Sequence, residues 1–415
     1  MSTALVWSIA AVTIAGILFW PRDWPEAVWA CLGAALLVLV GALTPLAAWQ
    51  AAGKGTDVYL FLAGMMLLSE LARREGVFDW LASHAVRAAR GSRSRLFALI
   101  YGVGILVTVF LSNDATAVVL TPAVYAAVRK ARAEALPYLL SCAFIANAAS
   151  FVLPISNPAN LVVYGKQLPP LFSWLKVFLL PSLASIVVTF VVLRFISRRD
   201  LHGKTEDGSQ VTTLTPEGRR AAWGMAFAGV VLILASVLGM DLGIPTLAAA
   251  VVAVAIATRV NAKAITDIAR AVSWSVLPMV AGLFVLVEAL NAAGARQDIT
   301  SVIKAFSDYP PLAGSLSASF GVAFLSNVMN NLPSGLLTGS ALQAASFPDH
   351  IRNAVLVGID LGPNLSVTGS LATVLWLIAL RREGEHVSAW TFLKAGVLVM
   401  PPALILTAGI LVIRG

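Results

Sequence analysis

Four interruptions in apolar sequence hold nearly all the residues that could do chemistry. They read Phe110-Leu-Ser-Asn-Asp-Ala-Thr-Ala-Val-Val-Leu-Thr-Pro122, Leu153-Pro-Ile-Ser-Asn-Pro-Ala-Asn160, Phe324-Leu-Ser-Asn-Val-Met-Asn-Asn-Leu-Pro333 and Asp360-Leu-Gly-Pro-Asn-Leu-Ser-Val-Thr-Gly369. The side chains there are mostly neutral: Ser112, Asn113, Thr116, Ser156, Asn157, Asn160, Ser326, Asn327, Asn330, Asn331, Asn364, Ser366 and Thr368. Amides and hydroxyls both donate and accept hydrogen bonds. Such a set suits a small, neutral, hydroxyl-rich solute, whereas a multiply charged anion would recruit Arg or Lys, and the interruptions contain neither. Asp114 and Asp360 are their only acids. A carboxyl group held in a membrane is either paired or sits as the neutral acid, so it can take up and release a proton in each cycle. The alternatives are plainer: the amides satisfy broken backbone, and each carboxylate caps a helix N-terminus.

The elements that must position these groups are membrane helices. Of the 415 residues, 59% are hydrophobic and 12% charged, against roughly 25% charge in soluble domains. The reading is a polytopic all-α membrane protein, with no soluble domain and no nucleic-acid surface. The net charge of +8 sits in short loops between apolar runs. Residues 1–20 lack a charged start and a cleavage site, and so read as a retained span.

Spans are expected at Ala4–Trp20, Ala27–Leu43 and Asp57–Leu71, followed by an amphipathic basic segment, Val77–Arg90. Between Arg95 and Arg129 lie 33 residues, about 50 Å of helix. That is too much for one span and cramped for two, so a re-entrant hairpin with its tip at Ser112–Thr116 is the economical reading. Leu136–Gly165 is broken by Pro154 and Pro158 into a discontinuous span, and Leu171–Ile196 closes the first half. The second half follows the same plan: Ala221–Leu238, Ile244–Thr258, Ser273–Leu290, a hairpin near Pro311–Ala345, a broken span Ile351–Leu380 and a last span Ala389–Ile413.

The halves also echo in detail. Phe-Leu-Ser-Asn recurs at 110 and 324. Ala63-Gly64 with Glu70 and Gly76 repeats as Ala281-Gly282 with Glu288 and Gly294 at identical spacing. Trp174, Lys176 and Pro181 parallel Trp390, Lys394 and Pro401. The reading is two repeats, residues 1–196 and 221–415, joined by a polar linker, 197–220, which carries Gly203, Gly208 and Pro216. Each repeat has five spans, one of them discontinuous, and one hairpin. Five is odd, so the second copy is inverted. With the linker in the cytoplasm, 21 of the 29 Lys and Arg residues, Arg22 among them, fall on that side and 6 on the other, as the positive-inside rule requires. Inverted repeats with paired hairpins and broken helices describe a secondary transporter whose site lies where the interruptions meet.

Other residues carry less. Glu70 has Arg73 and Arg74 at helical spacing, and an ion pair is the plain account. Cys31 and Cys142 lie in apolar runs as small inert residues. The four His residues form no cluster, so neither metal nor cofactor is implied. The Trp residues sit mostly towards span ends. The flanks of Asp114 and Asp360 are not those of an intramembrane aspartyl protease, and no phosphate-binding G-x-x-x-x-G-K-[ST] occurs. The chain reads as a carrier, not an enzyme.

The first, third and fourth interruptions, the last extended as Gly358-Ile-Asp-Leu-Gly-Pro-Asn-Leu-Ser-Val-Thr-Gly-Ser-Leu-Ala-Thr-Val-Leu-Trp376, resemble the arsenical pump membrane protein family over nearly the whole chain. More distantly, the hairpin tips are similar to those of divalent anion/sodium symporters. The resemblance implies a prokaryotic inner-membrane carrier that exports trivalent arsenic and antimony, as neutral hydroxides, in exchange for protons. It also implies the option of a soluble ATPase partner. Asp114 after the first Ser-Asn and Val328 after the second depart from the sodium-coupled relatives. A sodium/proton or organic-anion carrier and a passive metalloid channel remain the competing readings. Elevator-like movement of hairpins and broken helices is the expectation from the repeat plan. Stoichiometry, oligomeric state and the preference between arsenite and antimonite are left open.

Overall fold

A computed structural model of the chain describes residues 3–19, 25–205 and 212–414. Trp20 at the end of the first expected span, Arg22 and the linker residue Gly208 lie outside the described residues. The described residues are helical; among them the only β pairing is an isolated bridge between Ser92 and Lys204.

The helices pack in two groups. In the first, Thr56–Arg74 lies along Gly243–Thr258, and Glu26–Leu39 lies along Val276–Ala292. The echoing glycines sit at these two crossings. A Cβ on Gly64 would come within 2.7 Å of the Thr246 backbone, and one on Gly282 within 2.7 Å of the Ala30 backbone. Close approach of this kind supplies the dispersion that holds helices together in lipid, where no hydrophobic drive separates partner from solvent. Thr3–Phe19 and Pro216–Val237 flank the pair, against Glu26–Leu39 and Gly243–Thr258.

The second group holds the hairpins and the broken spans. Arg93–Phe110 is long and apolar enough to cross a membrane alone, but the chain reverses at Leu111–Ser112 and returns as Asn113–Ala115, a π turn at Thr116–Leu120 and Thr121–Lys130. Both feet of this hairpin meet: Arg93 Nη2 donates to the carbonyl of Arg132 at 3.4 Å. The amphipathic helix Val77–Ala88 packs on both arms. The second hairpin is Pro311–Met329 with Asn331–Ala344, and Ala295–Ser307 packs on both of its arms. The broken spans are Leu136–Ala148 with Pro158–Tyr164, and Asp349–Leu361 with Leu371–Arg382. Long helices Leu171–Ile196 and Ala389–Arg414 pack on each other behind them.

Several elements differ from the sequence expectation. Short helices Pro45–Gly53 and Ala262–Ala271 precede Thr56–Arg74 and Val276–Ala292 at bends of 50° and 42°. Thr44 and Asn261 cap them, accepting from Ala47 N and Ala264 N at 3.1 Å each. Ala295–Ser307, the counterpart of Val77–Ala88, was also not expected. The last helix-forming residues of the assumed linker belong to Pro216–Val237, because Thr215 Oγ1 caps Gly218 N at 3.0 Å. Residues just after Leu171–Ile196 are tied to the first hairpin's foot, with Thr205 N donating to Gly91 O at 2.8 Å. Trp174 and Trp376 are fully buried, while Trp49, Trp223 and Trp390 are exposed.

Candidate functional site

Each interruption is built by its own side chains. At the first hairpin, Ser112 adopts extended backbone and its Oγ accepts from Ala115 N at 3.2 Å, starting the return arm. Thr108 and Thr116 hydroxyls bond at 2.8 Å and stitch the two arms together. The π turn leaves the Thr116 carbonyl to the Thr121 hydroxyl, at 3.0 Å. At the second hairpin the reversal falls at Asn330, which takes φ +77°, a left-handed conformation that Asn tolerates better than most residues. Its Oδ1 accepts from Leu332 N at 3.3 Å.

The first broken span ends at Ala148, and its loose carbonyls find side-chain donors. Asn160 Nδ2 donates to Ser150 O at 2.9 Å, Trp174 Nε1 to Phe151 O at 3.0 Å and Ser185 Oγ to Ala148 O at 2.9 Å. Ser156 Oγ donates to Val109 O at 3.1 Å, tying this break to the first hairpin. In the second break, Asn327 Nδ2 donates to Gly362 O at 2.8 Å. Its Oδ1 accepts from Ser366 Oγ at 2.6 Å, and Thr368 Oγ1 donates to Asn327 O at 2.9 Å. Asn364 is completely buried between the spans, accepting from Asn147 Nδ2 at 3.0 Å and donating to Phe144 O at 3.1 Å. Unpaired buried polar groups are costly, and these residues are what make irregular backbone tenable inside the fold.

All four interruptions meet. Asn113 and Asp114, Asn157 and Pro158, Asn331 and Leu332, and Ser370 and Leu371 line a pocket of about 20 Å³, room for about one water. Four helical segments begin here, capped by Ser112, Asn157, Asn330 and Ser370. The partial positive charge at such helix starts favours oxygen acceptors. Among the described residues, Asp114 is the only charged side chain lining this pocket. The pocket forms the floor of a cavity of about 700 Å³ that shares Leu62, Asp114, Pro158, Val276 and Leu371 with it. Arg73, Asp79, Arg382 and Glu383 also line this cavity. Glu70 on its wall is held by Arg73 through bonds of 2.8 and 2.6 Å.

A family model described as citrate transporter (CitMHS) matches residues 7–359. The chain belongs to the citrate transporter family. Among family-level relatives, the arsenical pump membrane protein of Escherichia coli (strain K12) is 27% identical over 425 residues, covering 99% of this chain and 98% of that one. That of Yersinia enterocolitica is 28% identical over 431 residues, with the same coverage. The crystal structure of the Alcanivorax borkumensis YdaH transporter shares the fold, with a TM-score of 0.56 at 15% identity over 99% of this chain and 97% of that one. This member of the citrate transporter family is therefore a multi-pass membrane transporter and not an enzyme.

The expected residues separate into two sets. Asn113, Asp114, Asn157 and Asn331 come together at the floor, and Ser112 lines the larger cavity. Thr116, Asn160, Ser326, Asn327, Asn364, Ser366, Thr368 and Asp360 line neither. Asn330 faces a separate pocket of about 10 Å³ beyond the floor. The Phe-Leu-Ser-Asn echo also lands differently in the two hairpins. Ser112 is the turn itself, whereas Ser326 and Asn327 are still helical and the reversal comes three residues later. Ser370 was missed, although a Ser immediately before the apolar Leu371–Trp376 run is an N-cap signal. Ser69, Met65, Met66 and Ser273 on the cavity wall gave no signal beyond ordinary helix composition.

Proposed function

We propose that this transporter exports arsenite and antimonite, as their neutral trihydroxides, in exchange for protons. The observation that carries the reading is the floor: three amides, the Ser370 hydroxyl and helix N-termini around one carboxyl group, Asp114, with no basic side chain among the lining residues. Hydroxyl-rich solutes offer both donors and acceptors to such a set, and a carboxylate there opposes an anion. The names of the Escherichia coli and Yersinia enterocolitica relatives support the same solute class. In this reading Asp114 takes the proton as the hydroxide leaves. The bilayer is the inner membrane, the linker and the mouth of the large cavity face the cytoplasm, and the two halves are inverted copies. Reciprocal packing of Thr56–Arg74 on Gly243–Thr258 and of Glu26–Leu39 on Val276–Ala292 supports that last point.

One observation favours a second reading. Four helix N-termini around the floor would also suit a carboxylate substrate, in keeping with the family's description as citrate transporter. Everted vesicles separate the two. With an inside-acid gradient and no added ATPase, arsenite accumulates in wild-type vesicles and citrate does not. Accumulation of citrate alone would replace the metalloid reading, and arsenite entry that ignores the gradient would leave a passive channel.

A further inference from the structure

The two intramembrane aspartates are placed so differently that they cannot do the same work. Asp114 begins the return arm of the first hairpin, is partly open, and lines both the floor pocket and the large cavity. The charged side chains facing it across that cavity are Glu70, Arg73, Asp79, Arg382 and Glu383. Asp360 lies in the last turn of Asp349–Leu361, has no exposed surface, and lines neither space. The neutral side chains of Asn157 and Ser150 are its polar neighbours. The helices packed on Asp349–Leu361 are Pro311–Met329, Ala389–Arg414, Asn331–Ala344, Leu136–Ala148, Pro158–Tyr164 and Ala295–Ser307, and their buried titratable groups are Tyr138, Cys142 and Tyr164.

What Asp360 touches is informative. One carboxyl oxygen accepts from Asn157 Nδ2, 203 positions away in the chain, and the Ser150 hydroxyl lies beside the group. Asn157 is thereby committed at both ends: its Oδ1 accepts from Ala159 N at 3.0 Å and caps Pro158–Tyr164. An Asn amide can be turned end for end, and only an acceptor at Asp360 together with a donor at Ala159 fixes which end is which. Asn157 is itself a floor residue, beside Asn113, Asp114, Asn331 and Ser370.

We propose that Asp360 is a positioning residue, acting through Asn157 to hold the floor in one hydrogen-bonding pattern, and that the exchangeable proton resides on Asp114 alone. The division of labour rests on the proton-coupled reading above and deepens it. A group that exchanges a proton every cycle needs contact with water, and Asp114 has a cavity while Asp360 has none. An acceptor is all that Asn157 requires of position 360. Companion bonds tie the same two spans nearby, from Asn147 Nδ2 to Asn364 Oδ1 at 3.0 Å and from Ser370 Oγ to Asn147 Oδ1 at 3.5 Å. A change at Asp360 is therefore felt at the floor before it loosens the span packing.

The test uses full-length protein and the variants Asp114→Asn, Asp360→Asn and Asp360→Leu. In purified protein without solute, infrared pH titration resolves a titrating carboxyl band that is lost in Asp114→Asn and kept in Asp360→Asn. In vesicles, Asp360→Asn, which retains an acceptor oxygen, keeps gradient-driven arsenite accumulation. Asp360→Leu raises the arsenite KM about tenfold, the loss given by one hydrogen-bonded floor group, with an unchanged pH profile. Asp114→Asn abolishes the dependence on the gradient. Loss of the titrating band or of coupling in Asp360→Asn would overturn the proposal. The infrared arm decides it even where wild-type vesicles move no arsenite, a result that falls on the transport reading alone.

Discussion

The two hairpins share a plan and differ in how their return arms meet the facing broken span. Asn331–Ala344 lies flat against Pro158–Tyr164, because Gly335 and Gly339 bring its backbone onto Val162 and Val163. A Cβ at Gly339 would stand 2.9 Å from Val163 O and 3.0 Å from its Cα. The first hairpin's arm also packs on Leu371–Arg382, but Val118, Val119, Pro122, Ala123 and Ala126 on this arm, with Leu371–Arg382 and Thr56–Arg74, wall the cavity of about 700 Å³. One side of the floor is sealed by backbone contact and the other is open. The same motif thus leaves close backbone contact on one side and a cavity on the other, according to side-chain volume along a single helix face. A carrier needs that difference to be reversible.

The largest expected effect comes from breaking the seal. Gly339→Val obliges the Val163 backbone to move, and overpacking of this kind costs about 1–3 kcal/mol. Accumulation in vesicles should fall about tenfold, the factor given by about 1.4 kcal/mol within that range. Near-wild-type accumulation would show that this contact is no gate.

Cysteine labelling sharpens the comparison at smaller cost to the protein. In a Cys31→Ala background, Ala126→Cys on the cavity wall reacts with a charged thiol reagent, and Leu336→Cys in the sealed arm reacts about tenfold slower or not at all, since thiol reactivity follows exposure. Solute that equalises the two rates would reveal the opposite state. The smallest effect separates the equivalent acids. Lys54 pairs with Glu288 at 2.8 Å, with side chains 56% and 30% exposed, and Lys54→Ala should cost about 0–1 kcal/mol in thermal unfolding. Arg73→Ala leaves Glu70, 10% exposed on the cavity wall, without its partner and should cost about 1–3 kcal/mol. Equal losses would mean that the cavity wall is as wet as the surface.

Much of this was legible in the sequence because prolines and amides inside apolar runs contradict hydropathy and demand an explanation. The hairpins, the breaks at Pro154 and Pro158, and the Glu70–Arg73 pair all follow from local spacing. Which amides reach the floor does not. Asn160 and Asn364 read like Asn113 and Asn157, yet Asn160 turns to the backbone of its own break, Ser150 O, and Asn364 to Asn147, 217 positions away. Trp174, near the start of Leu171–Ile196, is held by a similar bond, its indole serving a carbonyl of the break, Phe151 O, 23 positions back. The short helices Pro45–Gly53 and Ala262–Ala271 hid in loops too brief for hydropathy, and the open and sealed faces depend on packing between halves that no local pattern records.

The π turn at Thr116–Leu120 has a consequence for how such a site could be altered. A π turn holds one residue more than an α turn, so it absorbs an extra residue between the hairpin's tip and its shaft without turning either about the helix axis. Removing a residue there would return the turn to α geometry and leave Asp114 aimed as it is, whereas removing one from the α-helical Thr121–Lys130 would swing Asp114 by about 100°. A codon can thus be gained or lost in this one turn without re-aiming the carboxyl group.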